Sequence, residues 1–455
     1  MKIKSNVLLL LATTLLFTSE QAFDVNHRTL GSMFNSVHAA QNNKAESNTA
    51  QIKTKKVPAM RERVYAQLAR AQAINDKGGF AQGIKVLDQV KDRLSSLNSY
   101  ERAMLFNFYG FMYYGNNQMS KAIDNFENVV KEKDGIADTL YLSTQFSLAQ
   151  LYMQQQDFMQ AEQALKAWQA ANTKPLTGEQ HLIFAQIYYQ QKDYQGSLVA
   201  VDSAIKIRIT KGKDIKENWL ILKRANHYEL KQPKLVTAVL EDLVRLFNKP
   251  QYWLQLSSMY GEIGEEDKQL AVIEAAFQAG FVQKSEDIMT LAQLYIYHQL
   301  PFKGAVVLQE SMDSGDLTVN EKRLDLLAQA YLLAKEDEKA LPVLVKAAEI
   351  SSSGKFDAQL AQVYLNLERW QDAINSAQTS LDRNNTKNPG DMHLAIGMSY
   401  FNLQKYEASL LALANAKRVP ASTKMAEQWY QYVDKEKGYQ MQLAQLTSST
   451  EQVNE

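Results

Sequence analysis

One spacing of large, apolar and small residues repeats down most of this chain. A large residue is followed three on by an apolar one, then at once by a small one, then by an aromatic three further. A second small residue comes nine later, and another large one four after that. The cleanest copy reads Phe106, Tyr109, Gly110, Tyr113, Ala122, Phe126. It returns at Leu148, Ala149, Tyr152, Ala161, Leu165, at Phe184, Ala185, Tyr188, Ser197, Val201, and at Trp253, Leu256, Ser257, Tyr260. Further copies are Leu291, Ala292, Tyr295, Gly304, Leu308, and Leu324, Leu327, Ala328, Tyr331, Ala340, Leu344. The last two are Leu360, Ala361, Tyr364, Ala373, Ala377, and Ile396, Gly397, Tyr400, Ser409, Leu413.

Apolar residues three and four apart share one face of a helix, so each copy predicts two amphipathic helices. Polar joints such as Asn116 and Asn117, or Glu336 and Asp337, separate them. The small residue is expected where the paired helices approach most closely. Tyr113 and its equivalents are expected to fill the gap toward the next hairpin. One hairpin cannot bury both of its apolar faces, so neighbours must stack into a quasi-one-dimensional array.

These residues resemble the tetratricopeptide repeat, with its period of about 34 residues and its W-x2-L-G-x2-Y then A-x3-F pattern. The resemblance covers residues 60–420 or so, and the closing small residues are spaced 33 to 39 apart, with one double step between Ala185 and Ser257. It implies an all-α fold: an α-solenoid, a right-handed superhelix of about ten helical hairpins that binds proteins. The pattern's terminal proline is mostly missing. Pro233 and Pro301 fall near second-helix starts, where a missing amide donor does little harm, and Pro342 is expected slightly deeper, within the first turn or so. The stretch 219–247 keeps Ala225 and Tyr228 at signature spacing, but Arg224 replaces an apolar residue and Ala238 fits only if shifted by one. The first candidate hairpin, 64–90, has Gly78 and Gly79 at its joint and no aromatic at the expected place.

The expected organisation is a signal peptide and leader over 1–39, a flexible linker at 40–58, and amino-terminal repeats over 59–250. Carboxy-terminal repeats follow over 251–420, then a capping helix at 421–440 and a disordered tail at 441–455. Lys2 and Lys4 precede an apolar run over 7–17, which suits a secretory signal and is too short for a bilayer span. Ala39 and Ala22 are alternative cleavage points, and retention of the run as an anchor is the other reading. The expected compartment is the periplasm.

With 455 residues, Lys plus Arg equals Asp plus Glu at 50 each, so no global field draws nucleic acid or an anionic membrane. There is no cysteine, which removes disulfides, thiolate metal sites and a thiol nucleophile. The histidines His181, His227, His298 and His393 lie in different repeats, and no HExxH, P-loop, GxGxxG or GxSxG occurs. His181 and His393 read as packing rings. No catalytic residue, metal or cofactor is expected. A basic stretch, Lys206, Arg208, Lys211, Lys213, Lys216, Lys223 and Arg224 against Asp214 and Glu217, meets an acidic partner or a nucleic-acid backbone, or is a solvated interhelical loop. It offers no evident aromatic platform.

The candidate binding residues stand directly after the small ones: Gln150, Gln186, Gln293, Gln329 and Gln362. An amide both donates and accepts, so such a ladder suits the backbone of an extended peptide. In repeats of this kind the position faces the concave groove. Three residues further lie Tyr114, Met153, Tyr189, Ile296, Leu332, Leu365 and Phe401, an apolar row beside the polar one. Ordinary helix preference of glutamine accounts for the amides equally well.

The segments LAQVYLNLERW (360–370), NPGDMHLAIG (388–397) and AEQW (426–429) are similar to tetratricopeptide proteins associated with bacterial TonB–ExbB–ExbD systems. That resemblance implies a non-catalytic accessory role in TonB-dependent uptake, such as iron–siderophore import, with inner-membrane TonB, ExbB or ExbD components as partners. The alternative is a scaffold for envelope polysaccharide or peptidoglycan machinery. An enzyme with its active site in the groove is the third.

Overall fold

The computed structural model describes Lys55 and residues 57–383 and 387–453. The expected leader, and all of the linker except residues 55, 57 and 58, lie outside them. Among the described residues the regular structure is helical throughout. The chain divides after Phe247 into two compact units.

The first unit holds five hairpins: α1 (Glu62–Asp76) with α2 (Phe80–Lys91), α3 (Ser99–Gly115) with α4 (Met119–Lys131), α5 (Asp138–Gln154) with α6 (Phe158–Ala171), α7 (Gly178–Gln190) with α8 (Tyr194–Thr210), and α9 (Glu217–Glu229) with α10 (Pro233–Phe247). The second holds five more: α11 (Pro250–Glu262) with α12 (Glu266–Gln278), α13 (Ser285–Tyr297) with α14 (Pro301–Asp313), α15 (Glu321–Leu333) with α16 (Asp337–Ile350), α17 (Lys355–Asn366) with α18 (Trp370–Asp382), and α19 (Pro389–Asn402) with α20 (Tyr406–Lys417). It closes with α21 (Thr423–Val453). That last helix runs past residue 440, so most of the segment expected as a disordered tail continues the helix. The expected all-α class of stacked helical hairpins is the one observed, with five hairpins in each unit.

The small residues sit where helices meet. Ala149, Ala185, Ala292, Ala328 and Ala361 are fully buried, and so are the small residues Ala122, Ala161, Ser197, Ala340, Ala373 and Ser409 of the second helices. A Cβ on Gly110 would lie 2.6 Å from the Phe126 ring, and one on Gly397 would lie 2.7 Å from Leu413. A side chain at either place would force the Phe126 ring or the Leu413 side chain out of its packed position.

Every hairpin turns in the same way. The amide five residues beyond the repeat tyrosine donates to that tyrosine's carbonyl, as Gln118 does to Tyr113 at 2.9 Å, Glu336 to Tyr331 at 2.9 Å and Lys405 to Tyr400 at 2.9 Å. This is the Schellman closure, which places one residue in the left-handed region. Asn117, Gln156, Lys192, Gln299, Lys335, Glu368 and Gln404 take that place with φ between 57° and 64°, and glycine takes it at Gly78 and Gly264.

The turn bonds also correct two registers. In the first hairpin Gly79 donates to Ile74, so isoleucine stands where the aromatic was missing. In the fifth, Gln232 donates to His227, with Lys231 left-handed at φ 56°. The register there is one residue earlier than the spacing of Ala225 and Tyr228 predicts. Arg224 takes the small-residue place and His227 the tyrosine's, and Val236, 1% exposed, stands where Ala238 had to be shifted.

Two further expectations change. Pro342 lies inside α16 rather than in its first turn. The repeat tyrosines face the preceding hairpin, not the next. Tyr152 donates to Glu127 on α4, and Tyr113 meets Phe80 on α2 edge-on at 5.9 Å. A cation at the start of the tyrosine's own second helix, or capping it, covers the ring, as Lys121 does over Tyr113 at 5.3 Å, Lys303 over Tyr295 at 5.5 Å and Arg369 over Tyr364 at 4.7 Å. Tyr113 and Tyr152 thus tie their own hairpins to the one before.

Candidate functional site

The residues one and four beyond each small residue are three apart from one another, so they share a helix face. In the second unit this face is open. Gln293, Gln329 and Gln362 are exposed, and Ile296, Leu332 and Leu365 beside them are half-buried. Gln362 Nε2 donates to Asn366 Oδ1 at 3.0 Å, and Asn366 in turn donates to Asp337 of the preceding hairpin at 2.9 Å. On the same helices Lys355 pairs with Asp325 at 2.7 Å, linking α17 to α15. The face therefore offers amides set among fixed charges.

The first unit differs. Gln150, Gln186, Tyr114 and Tyr189 are all half-buried. Tyr189 meets Tyr194 edge-on at 5.4 Å, and burial, with Glu229 nearby, raises the pKa of its hydroxyl. These amides have less room for a partner's backbone than those of the second unit. A sixth pair of this kind, Ala71 and Gln72, escaped the pattern because its hairpin lacks the aromatic. Gln72 is half-buried and donates to Asp76 at 2.6 Å.

Phe401, the last residue of the apolar row, is covered by the chain itself. The Tyr432 ring lies 5.3 Å from it and Trp429 lies 6.1 Å away, both on α21. Tyr406 closes the cluster at 6.0 Å. The row open to a partner in this unit therefore ends at Leu365.

Two open clefts lie elsewhere. One of about 480 Å³ is lined by Leu341, Pro342, Val345, Tyr364 and Arg369, and one of about 500 Å³ by Glu162, Lys166, His181, Tyr188 and Asp193. Each includes a repeat tyrosine and neither includes a residue of the amide row. Burial lowers the pKa of His181 and of His393, which favours the neutral ring at both packing positions. Among the described residues no group of three or more His, Cys, Asp or Glu is placed to hold a metal ion. No described helix is long and apolar enough to cross a membrane.

The tetratricopeptide repeat family matches residues 146–211 and 359–423. No curated protein matches the chain. Among solved structures, MamA (MSR-1) is similar at 23% identity, over 38% of this chain and 96% of that one, with a TM-score of 0.31. YrrB, described as a TPR protein with an unusual peptide-binding site, is 14% identical over 41% of this chain and 95% of its own, with a TM-score of 0.34. A tetratricopeptide repeat protein from Parabacteroides merdae ATCC 43184 is 11% identical over 56% and 98%, with a TM-score of 0.29. The α5–α8 and α17–α20 hairpins, where the family matches, make this a chain that carries tetratricopeptide repeats in an all-helical array.

Proposed function

We propose that this chain is a non-catalytic scaffold that holds a protein partner along the amide face of its second unit. We further propose that it works in the bacterial periplasm, as an accessory to TonB-dependent uptake of iron–siderophores. The observation that carries the scaffold reading is the exposure of Gln293, Gln329 and Gln362 in register beside Ile296, Leu332 and Leu365. Exposed amides spaced one repeat apart pair with the backbone of an extended segment, and the apolar row takes its side chains. Support for the TonB assignment comes from the segments 360–370, 388–397 and 426–429, and support for the compartment from the run at 7–17.

The test is a deletion strain grown with and without chelated iron, together with capture from envelope extracts on the purified chain. A growth defect confined to iron limitation, with TonB, ExbB or ExbD among the captured proteins, is the expected outcome. Capture of glycan synthases or lytic enzymes, with normal growth under iron limitation, replaces this role with the envelope-polysaccharide or peptidoglycan one.

A further inference from the structure

The basic stretch between the fourth and fifth hairpins is sorted by the structure into cations with different employment. Lys223 pairs with Asp202 at 2.8 Å, and Arg224 stands at the small-residue place of α9. Arg208 and Lys216 converge on one carboxylate, Glu179, at 3.4 and 3.5 Å. Both also lie over the Trp219 ring, at 5.4 and 5.6 Å. Lys206, Lys211 and Lys213 are exposed, and none of them takes part in an ion pair among the described residues. Ile209, 56% exposed, stands among them.

The turn that carries Lys211 and Lys213, directly after the helix that carries Lys206, is ordered by its own backbone. Gly212 is left-handed at φ 63°, Gly212 donates to Ile209 at 2.9 Å and Lys213 donates to Arg208 at 3.1 Å. The Arg208 side chain in turn donates to the Asp214 carbonyl. Lys211 and Lys213 are therefore displayed on a fixed turn just beyond the helical Lys206, and a partner has little chain entropy left to freeze there. In a chain of zero net charge this local excess of positive charge is conspicuous.

We infer that the α8–α9 turn docks a carboxylate-rich segment of a protein partner, read by Lys206, Lys211 and Lys213. Glu179 shows the chemistry in miniature, since the same turn already holds one carboxylate between two cations. The Trp219 ring is 1% exposed beneath those cations, so it cannot stack a base as single-strand nucleic-acid binders require. This turn belongs to the first unit and the amide face to the second, and its occupant need not be the partner held there.

The experiment uses the full chain and a fluorescent peptide of repeated Glu-Glu-Gly. Binding is titrated for wild type, for K206E/K211E/K213E, for K206Q/K211Q/K213Q, and for the control K322E/K346E, with circular dichroism on each. The expected result is binding that weakens as salt rises, is about tenfold or more weaker in the glutamate triple and intermediate in the glutamine triple, and is unchanged in the control. Absence of binding, or equal binding by all variants, overturns the inference. Tighter lysine-dependent binding of phosphatidylglycerol vesicles or of a DNA duplex overturns the assignment to a protein carboxylate. The amide-face variant Q293A/Q329A/Q362A should bind this peptide as wild type does, so the two readings fail independently.

Discussion

The Ser409 hydroxyl donates a buried 2.7 Å hydrogen bond to the Gly397 carbonyl, twelve residues earlier on the facing helix. Ser197 makes the same bond to Ala185 at 2.7 Å. Elsewhere a glycine keeps the gap: a Cβ on Gly304 would sit 2.9 Å from the Ala292 carbonyl. One contact thus sets the closeness of many hairpins, and its two ends must both stay small.

Ser409→Ala should cost about 0.5–1.5 kcal/mol, the loss of one internal hydrogen bond. Ser409→Val adds branched bulk at the same point, and overpacking of this kind costs about 1–3 kcal/mol. Urea titration distinguishes the two. Equal stability of all three proteins would mean that these helices are not pressed together here.

Ala328 is fully buried against α16, where Ala340 is fully buried as well. Ala328→Arg should destabilise by more than the about 1–3 kcal/mol of overpacking alone, because a charge is buried as well. An unchanged melting curve would contradict the register assigned to this hairpin.

Arg61 anchors the start of the first hairpin to Glu101 on α3, whose side chain is fully buried, with contacts at 2.6 and 2.8 Å. Glu101 also accepts from the amides of Arg61 and Asn98. The guanidinium bond, followed by these amides, holds the Glu101 carboxyl down to about 2. A depressed carboxylate stabilises the fold above its ordinary range and loses that contribution as pH falls through the folded value. The melting advantage of wild type over Glu101→Gln should therefore shrink as pH drops from about 4.5 to about 2. A gap independent of pH would exclude this ion pair as its source.

Trp429 and Tyr432 hold α21 to Phe401. Trp429→Ala removes ring contacts worth about 0.5–1.5 kcal/mol each beyond burial. Faster hydrogen exchange should then appear along α21 while α13 to α16 keep their protection. Uniform exchange across the unit would place the cap's stability elsewhere.

Much of this architecture was legible in the residues because its rule is local. A small residue, a tyrosine three on and a second small residue twelve on fix both helices of a hairpin and their contact. The rule misled where another residue met the same need. His227 and Ile74 accept the turn hydrogen bond through their backbone carbonyls, which any side chain permits, so the missing tyrosines hid two registers. The candidate face was legible as a row of amides, but its openness was not. Burial of Gln150 and Gln186, and the covering of Phe401, depend on neighbours distant in sequence. The direction in which the tyrosines face is likewise set by packing between hairpins, on which spacing within one hairpin is silent.

The central claim is that the exposed amides of the second unit hold a partner without holding the fold. Q293A/Q329A/Q362A should keep the helicity and melting temperature of wild type, because exposed glutamine and alanine both suit a helix. Capture of the partner identified with the wild-type chain, measured side by side on the folded variant, should fall. Equal capture by the triple variant would contradict the account.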